Sequence, residues 1–390
     1  MKWRPGMMSD LRKFVAPEFV FGAGALNLVG QYAANFGAEK ILLVTDPGVI
    51  AVGWCDKVRE NIEQSGASTM IFSEVTPNPK ADEVMRGVDM YLSHGCDLIV
   101  AVGGGSPMDC AKGIGIVSTN RRHILEFEGI DNVTVPGPPL ICIPTTAGTS
   151  ADVSQFAIIN NPVERVKIAI ISKAVVPDVA LIDPETTLTM DLYLTACTGL
   201  DALVHAIEAF VSSAHSPIFD VHAIEAIRLV HTHLLGVLEH PGDIGLRSLL
   251  MRASLEAGLA FSNASLGAVH AMAHSLGGYL GLPHGECNAI LLDHVMDFNF
   301  VNASERYEKI GQAMAMDMRS MTTKEKKQAI LNGIAELKMK AGISSSLGDR
   351  GTKIGDIPVL AEKAIKDPCL VTNPRQANKR DIEVIYEQAL

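Results

Sequence analysis

A change of periodicity divides this chain. From residue 11 to about residue 185, short β-type runs alternate with amphipathic helical stretches. The β-type runs are Lys40–Thr45, Ser68–Phe72, Leu98–Val102, Leu140–Pro144 and Val179–Ile182, with Trp54–Ser65 and Ala81–His94 as helices between them. Such alternation predicts a mostly parallel sheet with helices on its faces. After Asp183-Pro184 the β character nearly vanishes, and Thr186 to Leu390 reads as helix after helix. The expected architecture is an α/β domain over residues 1–184 followed by an all-helical domain over 185–390, a size suited to two domains.

Two stretches of the helical half carry metal-type chemistry. Gly199 to Phe210 reads as one helix, and Asp201 and His205 are an i, i+4 pair on one side of it. In the second stretch His270 and His274 repeat that spacing. Gly277, Gly278 and Gly281 are expected to break the helix, and Leu282-Pro-His-Gly285 turns the chain and supplies His284. One carboxylate and three imidazoles can thus converge on a divalent cation, with Fe(II) or Zn(II) the best match to that donor set. Spacing alone leaves open which of His270 and His274 binds. A metalloprotease is excluded, because the general-base Glu of His-Glu-x-x-His is replaced by Ala271.

Gly-rich turns in the first half point to a nucleotide. Asp97 to Lys112 reads as a strand, the three-glycine turn Gly103-Gly104-Gly105, and a helix start that Ser106 can cap with Pro107 at its first position. Free N–H groups at such a start attract a pyrophosphate. Phe21 to Asn27 begins like a dinucleotide fingerprint but has Asn27 at the third glycine position, and reads as a loop. Asp46, after the run Lys40–Thr45, is placed to accept from both ribose hydroxyls and to repel a 2′-phosphate, which favours NAD. A simple turn at Asp46-Pro-Gly is the competing explanation. A third small-residue loop, Ile143 to Ser150, follows another apolar run and suits a ribose–nicotinamide portion.

The balance of 33 basic against 44 acidic residues gives a net charge of −11, which argues against nucleic acid or an anionic membrane as partner. The N-terminus lacks the apolar core of a signal peptide, and no apolar run is expected to span a bilayer. Seven scattered cysteines without a Cys-x-x-Cys read as reduced, buried thiols of a cytoplasmic protein.

The combined motifs resemble the iron-containing (group III) alcohol dehydrogenases. They are Gly103-Gly-Gly-Ser106 with Asp109 and Lys112, Pro144-Thr-Thr-Ala-Gly-Thr149, Pro177 to Pro184, Asp201-x-x-x-His205, His270-x-x-x-His274, Pro283-His284-Gly285 and Asn373-Pro-Arg375. The resemblance implies a dinucleotide-binding α/β domain, a helical domain, and a site in the cleft between. It implies a metal held by Asp201, His205, His270 and His284, with His274 beside it as a proton relay. It also implies cofactor contacts from Asp46, Asn78, Gly103, Gly104, Gly105, Ser106, Thr145, Thr146, Thr149 and Lys167. Phe156, Phe261 and Cys369 fall where members line the alcohol pocket. The chain departs from many relatives at Gly148-Thr-Ser-Ala-Asp-Val153, which bears on the nicotinamide contacts.

The expected activity is NAD- and metal-dependent interconversion of small primary alcohols, such as ethanol, propanol or 1,3-propanediol, with their aldehydes. Fe2+ is the expected metal, with Zn2+ as the other candidate, in a homo-oligomer that is a dimer or larger. A glycerol dehydrogenase-like polyol oxidoreductase is the first alternative, against which His270 speaks as an additional ligand. A dehydroquinate-synthase-like lyase would need a Lys and Arg cluster beside the histidines. A non-catalytic, metal-stabilised scaffold would have no use for separate dinucleotide loops.

Overall fold

The computed structural model describes residues 13–343 and 345–390. Among the described residues nine strands form: β1 (Glu18–Phe21), β2 (Lys40–Val44), β3 (Ser68–Phe72), β4 (Leu98–Gly103), β5 (Gly129–Ile130), β6 (Leu140–Pro144), β7 (Phe156–Asn161), β8 (Val166–Ile171) and β9 (Val179–Ile182). The first half also contains helices α1 (Val29–Asn35), α2 (Pro47–Ala51), α3 (Trp54–Gln64), α4 (Ala81–His94) and α5 (Gly105–Asn120). In the second half follow α6 (Leu192–Val211), α7 (Pro217–Glu239), α8 (Ile244–Ala264) and α9 (Ala268–Leu280). The chain ends with α10 (His284–Ala313), α11 (Thr323–Lys340), α12 (Ile357–Ala364) and α13 (Lys379–Ala389).

Six strands make one parallel sheet in the order β1-β9-β6-β4-β2-β3. Its central strands are apolar on both faces because both are covered. Ile41, Leu43, Val100 and Val102 join one cluster with Val58 and Ile62 of α3. Leu42, Val44, Ile99 and Ala101 join the other, with Val84 of α4 and Ile114 of α5. β2 pairs with β3 on one side and β4 on the other, so the sheet reverses its winding there. Ligands of such sheets bind at the carboxyl ends of the strands beside that reversal.

All five expected strands are observed, three end for end and two within one residue, but two features went unforeseen. β7 and β8 form an antiparallel hairpin that pairs with β5 in a separate three-stranded sheet. β1 adds an edge strand beside β9.

Two helix expectations are corrected. α9 continues through Gly277 and Gly278 and stops only at Gly281, which adopts the left-handed conformation at φ 74°. The two inner glycines serve close packing instead. A Cβ on Gly278 would sit 2.7 Å from the Lys167 backbone nitrogen, and one on Gly277 would sit 2.7 Å from Lys167 Cε. Strand β8 therefore rides directly on the helix. Ser106 likewise does not cap α5, whose N-cap is Gly104, so that Pro107 is its third residue and not its first; the Ser106 hydroxyl accepts the Asn78 N–H at 3.3 Å.

By length and composition α6 and α7 could each cross a bilayer, contrary to the expectation that no run is long enough. Yet 94% of the apolar window of α6 is buried within the protein, where the helix packs against α7, α8 and α10. Its apolar content is that of a core helix. All seven cysteines are free and buried, as their scatter implies.

Candidate active site

The three small-residue loops meet at the carboxyl ends of β2, β4 and β6. Each glycine after β4 has a packing reason. Gly103 has φ 153°, and a Cβ there would meet Pro107 at 2.6 Å. A Cβ on Gly104 or Gly105 would press on the Thr146 or Thr149 side chain at 3.2 Å. Two loops are thereby brought into contact, with the Thr145 N–H donating to Gly103 O at 2.8 Å. They line a cleft of about 740 Å³ together with Asp46, Gly48, Thr76 and Thr198. Asp46 caps α2, its Oδ1 accepting the Val49 N–H at 3.0 Å, while it also faces the cleft. Asn78 holds a left-handed turn at φ 59° between two prolines, beside Ser106.

Past Gly105, Ser106 and Thr149 the cleft meets a smaller cavity of about 150 Å³, which those three residues also line. Asp201, His205, His270, His274 and His284 line it on the helical side. Phe156 on β7, Phe261 on α8 and Lys167 on β8 complete the walls. The Phe156 and Phe261 rings meet edge to face, 5.6 Å apart. Cys369 is fully buried and does not face the cavity; it lies next to His274, its N–H donating to Asp367 Oδ1 at 2.8 Å.

The ligand-type atoms of Asp201, His270 and His284 lie within 4.8 Å of one another. His205 stands alongside that triangle. Its ring stacks on Phe261 at 4.3 Å and on His270 at 4.5 Å, with Nδ1 4.0 Å from Asp201 Oδ2. Several features fit a cation here. Nδ1 of His205 is buried without a hydrogen-bond partner, an expensive condition unless a cation or a further donor satisfies it. Burial lowers the His205 pKa to about 4 and that of His270 to about 3, and takes His284 well below its ordinary value. The imidazoles are thus neutral at pH 7 with lone pairs available, as metal ligation requires. One carboxylate and three neutral imidazoles match Fe(II) or Zn(II).

Spacing left His270 and His274 equivalent; their partners differ. His270 directs Nε2 to within 3.9 Å of Asp201 Oδ1. His274 places Nδ1 2.8 Å from Asp367 Oδ2 and is absent from the triangle.

Several site residues escaped sequence reasoning. Glu208 accepts the N–H groups of Gly267 and Val269 and lies 2.7 Å from His270 Nδ1. It falls three residues after His205 on the same helix face, which was the available signal. Asn288 follows His284 by four residues, and its amide touches three of the ligand side chains. Asp367 is remote in sequence from His274, so no local pattern announces it. Lys112, by contrast, belongs to a motif the sequence analysis quoted; buried, with its pKa lowered by burial, it donates to Ser154 O and Phe156 O and so ties α5 to the segment carrying Phe156.

Comparisons with known proteins identify the family. Residues 16–184 match the family model described as iron-containing alcohol dehydrogenase, and residues 195–390 match the Fe-containing alcohol dehydrogenase family, C-terminal. The chain is 40% identical to a 1,3-propanediol dehydrogenase of Citrobacter freundii, over 95% of this chain and 96% of that one. It is 36% identical to an NAD-dependent methanol dehydrogenase of Bacillus methanolicus, over 97% and 99%. A crystal structure of a 1,3-propanediol oxidoreductase superposes with a TM-score of 0.94 at 38% identity, covering 97% of this chain and 100% of that one. The chain belongs to the iron-containing alcohol dehydrogenase family. It is an oxidoreductase of alcohols and aldehydes.

Proposed function

We propose that this enzyme interconverts small primary alcohols and aldehydes with NAD as hydride carrier and one divalent iron held by Asp201, His205, His270 and His284. The observation that carries the reading is the junction at Gly105, Ser106 and Thr149, where a dinucleotide-sized cleft opens onto the Asp201–His270–His284 triangle. Asp46 in that cleft supports NAD over NADP, and the name of the methanol-oxidising relative agrees. The cavity of about 150 Å³ between Phe156 and Phe261 supports a substrate of a few carbons, in keeping with the propanediol and methanol of the relatives' names. Among the described lining residues Lys167 is the only Lys or Arg, which suits an uncharged substrate better than a polyanion.

The bound cation supplies Lewis acidity that lowers a hydroxyl pKa, and the nicotinamide supplies a hydride acceptor. The rest falls to the protein. Asp201 and the three imidazoles hold the cation, with Glu208 behind His270. Phe156 and Phe261 orient the carbon chain and exclude water. His274, backed by Asp367, is the group placed to hold the alcohol's proton and pass it on. Cytoplasmic residence and homo-oligomeric assembly are part of the same reading, supported by the family resemblance and, for the former, by seven free thiols.

The test is a rate survey over short alcohols and aldehydes with NAD and NADP, on chelator-stripped protein reloaded with Fe(II) or Zn(II). Turnover should require the metal and favour chains of two to three carbons, by about tenfold per ill-fitting methylene. Stripped protein that turns over at the full rate would falsify the metal-dependent reading. Separately, NAD binding should survive stripping, because Asp46 and Gly104 line the cleft and not the metal triangle.

A further inference from the structure

Asn288 lies on α10 one turn beyond His284 and is completely buried. Residues at i and i+4 share a helix face, so its carboxamide points where the His284 ring points. The amide nitrogen stands 2.6 Å from Asp201 Oδ1, 3.1 Å from His270 Nε2 and 3.2 Å from His284 Nε2. Those three atoms belong to the same side chains that form the candidate metal triangle. Its carbonyl oxygen, by contrast, is buried with no hydrogen-bond partner.

The orientation has a chemical cause. An ionised Asp201 offers only acceptors, so the N–H side of the amide must face it. His270 directs Nδ1 to Glu208, which leaves Nε2 as an acceptor too. The two N–H groups therefore face Asp201 Oδ1 and His270 Nε2, with His284 Nε2 beside them, and these are atoms a cation would take. Metal–ligand bonds are about 2.0–2.2 Å long, so a cation drawing on these atoms meets the amide hydrogens head on. The amide and the cation compete for one position.

We propose that Asn288 is a positioning residue that acts as an internal competitor of the metal: its amide gathers Asp201, His270 and His284, and must turn aside when a cation binds them. This rests on the reading of that triangle as the metal centre. The competition makes the centre easier to unload, because the bonds to Asp201 and His270 find N–H groups ready to replace them as they break. A carboxamide filling the same space for packing alone would have no effect on metal release.

The test begins from the loaded full-length enzyme, so a variant whose metal-free form is unstable still reports. Co(II) replaces the native ion, and its release to excess chelator is followed by the cobalt absorbance. Asn288→Ala removes both donors and should slow release about tenfold or more, with a matching fall in the dissociation constant measured by chelator competition. Asn288→Leu, close in volume but without N–H groups, should slow release to the same degree, whereas a packing role predicts that this space-filling variant behaves like the wild type. Release from Asn288→Ala as fast as or faster than wild type overturns the proposal. Wild-type protein that fails to hold Co(II) at all overturns the metal reading beneath it, a separately visible result.

Discussion

Glu208 and His270 form a carboxylate–imidazole pair, Oε2 to Nδ1 at 2.7 Å, on the opposite side of the ring from Asp201. Burial raises the Glu208 carboxyl to about pH 7, against the backbone N–H groups of Val269 and Gly267, which favour its ionised form. The carboxylate thus does two tasks. It closes the start of α9 and it fixes the imidazole tautomer that leaves Nε2 free to ligate.

Glu208→Gln should weaken metal binding about 10–100-fold. Oε1 accepts Val269 and Oε2 accepts Gly267, so either orientation of a Gln amide sets N–H against N–H. A chelator-competition titration with Co(II) checks it. Unaltered affinity would reduce Glu208 to a clamp on the helix start.

Asp46 is expected to set cofactor preference, and its capping role dictates the variant. Asp46→Asn keeps a competent cap for Val49 N–H but removes the charge that repels a 2′-phosphate. The preference for NAD over NADP should narrow by about 1–3 kcal/mol, the scale of a charge-assisted hydrogen bond. The ratio of the two kcat/KM values reads it directly. If that ratio stays put, Asp46 is a turn residue and nothing more.

Much of this site was legible because it rests on short-range rules. Parallel strands covered on both faces are uniformly apolar, so β2, β4 and β6 were visible as runs. The pairs at 201/205 and 270/274 were visible because helical spacing is local. The β7–β8 hairpin was not, although it supplies Phe156 and Lys167: it belongs to a separate small sheet, outside the βαβ rhythm. The glycines at 277 and 278 misled for a related reason. Locally they read as helix breakers, and only the distant strand β8 shows that they are there to be small. Asp367 was out of reach altogether, since its partner lies 93 residues away.

The helix–strand contact predicts a contrast between two glycines. Gly278→Ala brings a methyl to 2.7 Å from backbone atoms of Val166 and Lys167, which cannot swing aside as a side chain does. It should cost about 1–3 kcal/mol. Gly236→Ala, within α7, meets nothing closer than Leu246 Cδ1 at 3.6 Å. That change should be neutral or stabilising by up to about 1 kcal/mol through helix propensity. Urea denaturation of both variants decides; equal effects would mean that the close approach of β8 to α9 is not what requires Gly278.

The last prediction separates the two histidines of α9. His270 reaches toward Asp201 and is backed by Glu208, whereas His274 is held by Asp367 and lies outside the ligand triangle. His270→Ala should therefore lose most of the bound metal and nearly all activity. His274→Ala should retain metal yet turn over about 10²–10⁴-fold more slowly, the usual cost of removing a positioned acid–base group. In alcohol oxidation the loss should be greatest at low pH, where hydroxide cannot replace the missing acceptor. Asp367→Asn should share the slower turnover in milder form, because it leaves the imidazole present but removes the charge that orients it. Metal content by elemental analysis, beside kcat against pH, distinguishes the three variants. Should His274→Ala lose the metal while His270→Ala keeps it, the two roles are reversed, and Asp367 becomes the partner of a ligand.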